Sequence, residues 1–291
     1  MSFTIPRTSE VTRADLSRIP RPMPLGNKHQ PVHHYDLMQE IQKQLDTRFF
    51  TRKINGEDVY DIKLELVREQ HGLMNSSVGS GTELYSNLIL NLYKDRGNTL
   101  VEALNGEAEF SLAVLNSNSK KRALTFFPGA IIGVCTNGWL IKRVDGEQVK
   151  KKHIHSLVAI EQIYKGLQAF CDSVNIIEAT MITMKETEVD LVSVDTALCE
   201  FARSGTISWQ MAGRVDKEYR SKKHEGMHGK GTVWSLYNAG TEVIKGTSMP
   251  SQARIMHGMQ DGLVNVGLMP DPKIYEPTII EAPDKVEPAL S

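Results

Sequence analysis

The sequence predicts an α+β fold, with a central antiparallel sheet flanked by helices and a helical C-terminal half. Three observations carry this. Strand-like runs crowd into residues 55–140, helical periodicity dominates 150–268, and the two do not alternate as a parallel sheet requires. No GxGxxG follows a strand and no P-loop pattern occurs, so a nucleotide-binding Rossmann or P-loop domain is not expected.

Residues 1–31 hold five prolines and no sustained period. They read as an extended or loosely packed arm, basic through Arg7, Arg13, Arg18, Arg21 and Lys28 against Glu10 and Asp15. A single α+β domain follows over 32–269. From His33 to Phe50 the spacing of Leu37, Met38, Ile41, Leu45 and Phe49 fits one helical face. Asn55-Gly56 is a turn dipeptide. Val59–Arg68 alternates in part, with Ile62, Leu64 and Leu66 against Asp61, Lys63 and Glu65, as a half-buried strand does. Glu83–Leu92 fits a strand or a short helix, and strand is preferred.

Phe110–Leu115 and Arg122–Phe127 read as paired strands around Asn116-Ser117-Asn118-Ser119. Ala130–Cys135 is a wholly apolar strand, closed by a turn at Asn137-Gly138. Beyond His153, residues Leu157, Ile160, Tyr164, Leu167, Cys171 and Val174 recur at helical intervals. Further helices are expected over Val189–Arg203, Val233–Lys245 and Gln252–Val266. Residues 270–291 hold five prolines and read as an exposed tail.

A chain of 291 residues with 40% hydrophobic content can bury a sizeable core. The net charge of −1 means that any affinity for a polyanion must rest on local patches. There is no apolar run long enough to span a bilayer and no signal-peptide pattern, so a cytoplasmic location and no membrane contact are expected. Cys135, Cys171 and Cys199 lie far apart, indicating neither a disulfide framework nor a zinc ribbon.

Several residues could carry chemistry. Cys135 ends an apolar strand and could be a nucleophile with His153 or His155 as base, or a buried thiol packing beside Ile131, Ile132 and Val134. His224-Glu225-Gly226-Met227-His228 matches HExxH, which on a helix presents both histidines to zinc. Gly226, Gly229 and Gly231 argue against a helix there, and Trp234 stands where a third histidine would complete the longer motif. No catalytic residue, metal or cofactor is therefore assigned. The acidic stretch containing Glu178, Glu186, Glu188, Asp190, Asp195 and Glu200 reads as a solvated face, or as one that meets a basic patch on another copy.

The basic clusters point further. Lys120, Lys121 and Arg122, Lys142 and Arg143, and Lys150, Lys151 and Lys152 give eight positive charges near strand ends. Arg214, Arg220, Lys222, Lys223 and Lys230, with Lys217, form a second, glycine-rich cluster. Such surfaces attract phosphate backbones through counterion release. Trp139 or Trp209 could offer a stacking face to a base.

Some stretches also carry a family resemblance. These are "PVHHYDLMQEI", "LAVLNSNSKKRALTFFPGAIIGVCTNGWL", "KKKHIHS" and "TVWSLYNAGTEVIKG". Within them, Asn116-Ser117, Val134-Cys135-Thr136-Asn137, Lys152-His153 and Trp234, Tyr237 and Asn238 stand at the pattern's positions. In these the chain resembles the phage- and plasmid-borne domain of unknown function numbered nine hundred and thirty-two. It departs at Ile154, where the family often has threonine, and at Asn118, where it often has aspartate. The resemblance implies a mobile-element origin and brings no established activity. By analogy of element order, the core is also similar to RecT/Redβ-type single-strand annealing proteins.

The expectation is a non-enzymatic phage or mobile-element nucleic-acid-binding protein, possible tasks being single-strand DNA binding or annealing in recombination or replication. It would work as a homo-oligomer. The alternative is a protein-interaction module, such as a host-defence inhibitor or an assembly protein.

Overall fold

The computed structural model describes residues 8–27, 29–54, 57–74, 82–94, 98–99, 108–120, 122–132, 137–140, 149–151, 156–221, 231–247 and 249–270. It is an α+β fold. The strands are β1 (Thr8–Val11), β2 (Phe50–Ile54), β3 (Glu57–Met74), β4 (Glu83–Lys94), β5 (Asn98–Thr99), β6 (Ala108–Ser117), β7 (Leu124–Ile132), β8 (Asn137–Leu140) and β9 (Val149–Lys151). The helices are α1 (Arg13–Arg18), α2 (His34–Thr47), α3 (Ser156–Glu186), α4 (Leu191–Arg203), α5 (Trp209–Arg220), α6 (Val233–Ile244) and α7 (Met249–Asn265).

All pairings in the sheet are antiparallel, and β3, β4, β6 and β7 lie side by side at its centre. β1 and β2 share the outer edge of β3, at opposite ends of that strand. β9 and β8 share the outer edge of β7 in the same manner, β9 opposite Leu124–Phe126 and β8 opposite Gly129–Ile132. Pro128 falls in the interval between these two partners, where among the described residues no outer strand pairs with it. This lets one strand run through what the sequence reads as two. Asn137 and Gly138, expected as a turn, instead open β8 opposite Ile132 and Ile131.

Alternation along the strands divides the core. Phe110 and Phe126 face α3, where the Phe110 and Phe170 rings meet edge to face at 6.5 Å. A Cβ on Gly166 would come within 2.5 Å of the Phe126 ring, so a bare backbone here sets the approach of α3 to the sheet. Leu115, Thr125 and Phe127 lie on the opposite face, toward α7. The α2 stripe Leu37, Met38, Ile41 and Leu45 is buried as its spacing predicts.

Residues 8–27 and 29–31 are more ordered than their prolines suggest. Thr12 and Asp15 form a reciprocal capping box at the start of α1, and Leu16 is wholly buried. The Arg13 guanidinium reaches Glu69 on β3 at 2.7 Å. Helix α5 runs into the glycine-rich basic cluster, where the sequence predicts no helix, and its N-terminus is capped by the Ser208 hydroxyl. The tail beyond Pro270 lies outside the described residues.

A candidate nucleic-acid interface at the end of the sheet

The β6–β7 turn is held from behind by the N-terminal arm. Asn116, wholly buried, donates through Nδ2 to the Val32 carbonyl at 2.9 Å, with His34 Nδ1 at 2.8 Å. Two residues on, the Asn118 side-chain oxygen accepts from the Val32 N–H at 3.1 Å. Lys120 has a left-handed backbone (φ 61°), and its ammonium donates to the Leu25 carbonyl. His29 Nδ1 accepts from the Leu25 N–H at 3.1 Å. Burial, and then the Lys120 charge, hold the His29 pKa below the usual histidine value. Asn116, Asn118, His34, His29 and Lys120 thus form a structural clasp between the arm and the turn.

On the other side of the turn stands Arg122. Its Nε lies 3.7 Å from Glu83, a buried carboxylate that also accepts from Ser117 and Ser119 at 3.3 and 3.4 Å. Register then brings in the second lysine cluster. β9 pairs Lys151 with Leu124 and Lys150 with Thr125, so these lysines are placed two and three residues along from Arg122, on the neighbouring strand. Two basic segments distant in sequence thereby meet at one end of the sheet.

Beside this end opens a groove of about 680 Å³. One wall is Arg122 with Leu115, Thr125 and Phe127 of the sheet. The α4–α5 loop contributes Ser204, Gly205 and Thr206, and α7 contributes Arg254, His257 and Asp261. Gly258 allows the loop to close on the helix, because a Cβ there would meet the Thr206 hydroxyl at 2.6 Å. Trp209, 61% exposed at the start of α5, follows this loop directly.

The other expected binding residues divide. Arg214 is exposed on α5. Arg220 is clamped by Asp216 at 2.5 Å and Asp195 at 3.0 Å, which hold it protonated beyond the ordinary arginine range. Its charge is balanced within the chain, and Asp195 finds its basic partner there. Trp139 lies on β8 opposite Ala130. Lys121, Lys142, Arg143, Lys152, Lys222, Lys223 and Lys230 lie outside the described residues, as do Cys135, His153, His155 and the HExxH stretch. The sequence reading missed Arg254 and Glu83 and left His257 unassigned. The signal for α7 was its spacing, since 254, 257 and 261 stack on one helical face.

One buried arrangement looks like hydrolase chemistry. Ser86 Oγ lies 2.7 Å from His71 Nδ1, and His71 Nε2 lies 3.5 Å from Glu69. Ser86 is fully buried and His71 is 4% exposed, so no substrate reaches the hydroxyl. The trio instead ties the sheet to Arg13 of the arm. Burial pushes the Glu69 carboxyl up, but hydrogen bonding and charge from His71 and Arg13 outweigh this and leave it below its usual value.

Among the described residues, no three His, Cys, Asp or Glu side chains are grouped to hold a metal ion, and no helix is long and apolar enough to cross a membrane. The late Trp-x-x-Tyr-Asn motif is core. Trp234, Tyr237 and Asn238 are buried, Asn238 donating to the Trp234 carbonyl at 2.8 Å and Gln260 to the Tyr237 hydroxyl at 3.1 Å.

Searches of curated proteins and of solved structures each return no match. The family model described as a domain of unknown function (DUF932) matches residues 56–257, a span running from β3 to the middle of α7. It takes in the central strands, the β6–β7 turn and most of the groove. The chain belongs to the DUF932 family.

Proposed function

We propose that this protein binds nucleic acid without catalysing a reaction, with single-stranded DNA the preferred ligand and annealing in the recombination or replication of a mobile element the task. The observation that carries the reading is the register of β9, which sets Lys150 and Lys151 beside the Arg122 turn. A chain of net charge −1 needs such local concentration to hold a polyanion. The exposed ring of Trp209 adds a surface on which a base can stack. Self-association would extend the interface along a strand.

The test is a salt titration of binding to single- and double-stranded DNA. Affinity should fall steeply with salt and be tighter for the single strand. No binding at low ionic strength would remove the proposal.

A second reading, a protein-interaction module such as a host-defence inhibitor or an assembly protein, draws on the adjacent Leu191 and Val192 at the start of α4, 56% and 72% exposed. A defined partner whose capture is lost in Leu191→Glu/Val192→Glu would favour it.

A further inference from the structure

The groove between the sheet and α7 has features that the basic sheet end lacks. It is concave, and its volume of about 680 Å³ falls within the range of roughly 300–1,000 Å³ typical of small-molecule sites. Its basic side chains come from separate elements, Arg122 from the β6–β7 turn and Arg254 from α7, with His257 and Asp261 of α7 beside them. The hydroxyl-bearing residues Thr125 and Thr206 line the same space, and Leu115 and Phe127 supply apolar surface.

We propose that this groove seats one nucleotide unit, its phosphate between Arg122 and Arg254 and its base or sugar against the apolar wall. The ligand class rests on the nucleic-acid reading above. Guanidinium groups suit phosphate because their planar forks match its oxygens, with threonine hydroxyls completing the donor set. Arg122 arrives partly oriented, since buried Glu83 stands behind it and Ser117 and Ser119 satisfy that carboxylate from the side. Asp261, the one carboxylate among the described residues that line the groove, would repel a second phosphate and accept from a sugar hydroxyl or a base amine. The site therefore favours a single phosphate with a nucleoside attached over a polyphosphate.

That unit could come from a strand or from a free nucleotide. The test uses the full chain and fluorescence anisotropy of a labelled hexathymidylate, competed by thymidine 5′-monophosphate and by inorganic phosphate. Wild type, Arg254→Gln, Arg122→Gln and Lys150→Gln/Lys151→Gln are compared. Arg254 is exposed on a helix, so its variant should fold even if Arg122→Gln disturbs Glu83.

In the expected result, the monophosphate competes better than inorganic phosphate. Arg254→Gln weakens both nucleotide ligands by about tenfold or more, the size of a lost charge-assisted hydrogen bond. The β9 double variant weakens hexathymidylate only. Hexathymidylate that binds wild type and Arg254→Gln equally overturns the groove assignment and leaves the nucleic-acid reading standing. If hexathymidylate does not bind, direct calorimetric titration with the monophosphate is the readout, and its binding keeps the groove and removes the nucleic-acid reading. Binding of neither removes both.

Discussion

Asn116 reaches across 84 residues of sequence to donate to the Val32 carbonyl at 2.9 Å, closing the arm onto the turn that carries Arg122. Its amide and the His34 ring are buried and Val32 is half-buried, so deletion leaves polar groups with little access to replacement by water. Asn116→Ala should cost about 1–3 kcal/mol, the penalty for orphaned buried groups. Chemical denaturation would measure it, and hydrogen exchange should show the N–H groups of 29–34 losing protection first.

The same clasp should respond to acid. His29 has a depressed pKa in the folded chain, so the unfolded chain binds the extra proton more readily. Its contribution is present above the unfolded value, about 6.5, and is lost as pH falls through the lower folded value. Protonation of Nδ1 also removes the acceptor used by the Leu25 N–H. Glu69 follows the same sign in a lower window, below about 4.5. Stability measured from pH 8 down to about pH 2 should fall in two stages. His29→Gln should flatten the first and Glu69→Gln the second.

Gly166→Ala should destabilise by about 1–3 kcal/mol, as overpacking does, because the new methyl would meet the Phe126 ring. Combining it with Phe126→Leu should recover part of that loss. Additive costs in the thermal denaturation of the double variant would show that the two positions are not coupled.

Trp209→Ala should leave the melting temperature nearly unchanged, since the ring is 61% exposed. It should weaken single-stranded DNA binding by about 1–3 kcal/mol if a base stacks there. Equal affinity in the variant would exclude Trp209 as a stacking platform.

Arg220→Ala should leave the slope of log affinity against log salt unaltered, because Asp195 and Asp216 already neutralise that side chain. Lys150→Gln and Lys151→Gln should each reduce the slope on single strands by about 0.7 for every phosphate no longer neutralised.

The α+β class and the main elements were legible because burial imposes period. The α2 stripe, the β6–β7 pair and the helices over 191–203 and 233–244 all obey it. Helix α5 was hidden because its outer face is charged and Gly213 interrupts the stretch; only Ala212 and Val215 are buried along it. Strand β1 and helix α1 were hidden by neighbouring prolines, since their order comes from partners such as Glu69 and His71 that lie far along the chain. The candidate site was half visible. Lysine runs are conspicuous, but their meeting depends on the β9 register, and Arg254 and Glu83 enter only through tertiary packing.

The arm also bears on the order in which the chain can be completed. β1 needs residues 71–74 as its template, and the Val32 closure needs residues 116 and 118. During synthesis β1 and Val32 therefore leave the ribosome well before the residues that receive them. Their docking is a late event, and a nascent chain interrupted before β6 would hold the template for β1 yet lack the asparagines that close on Val32.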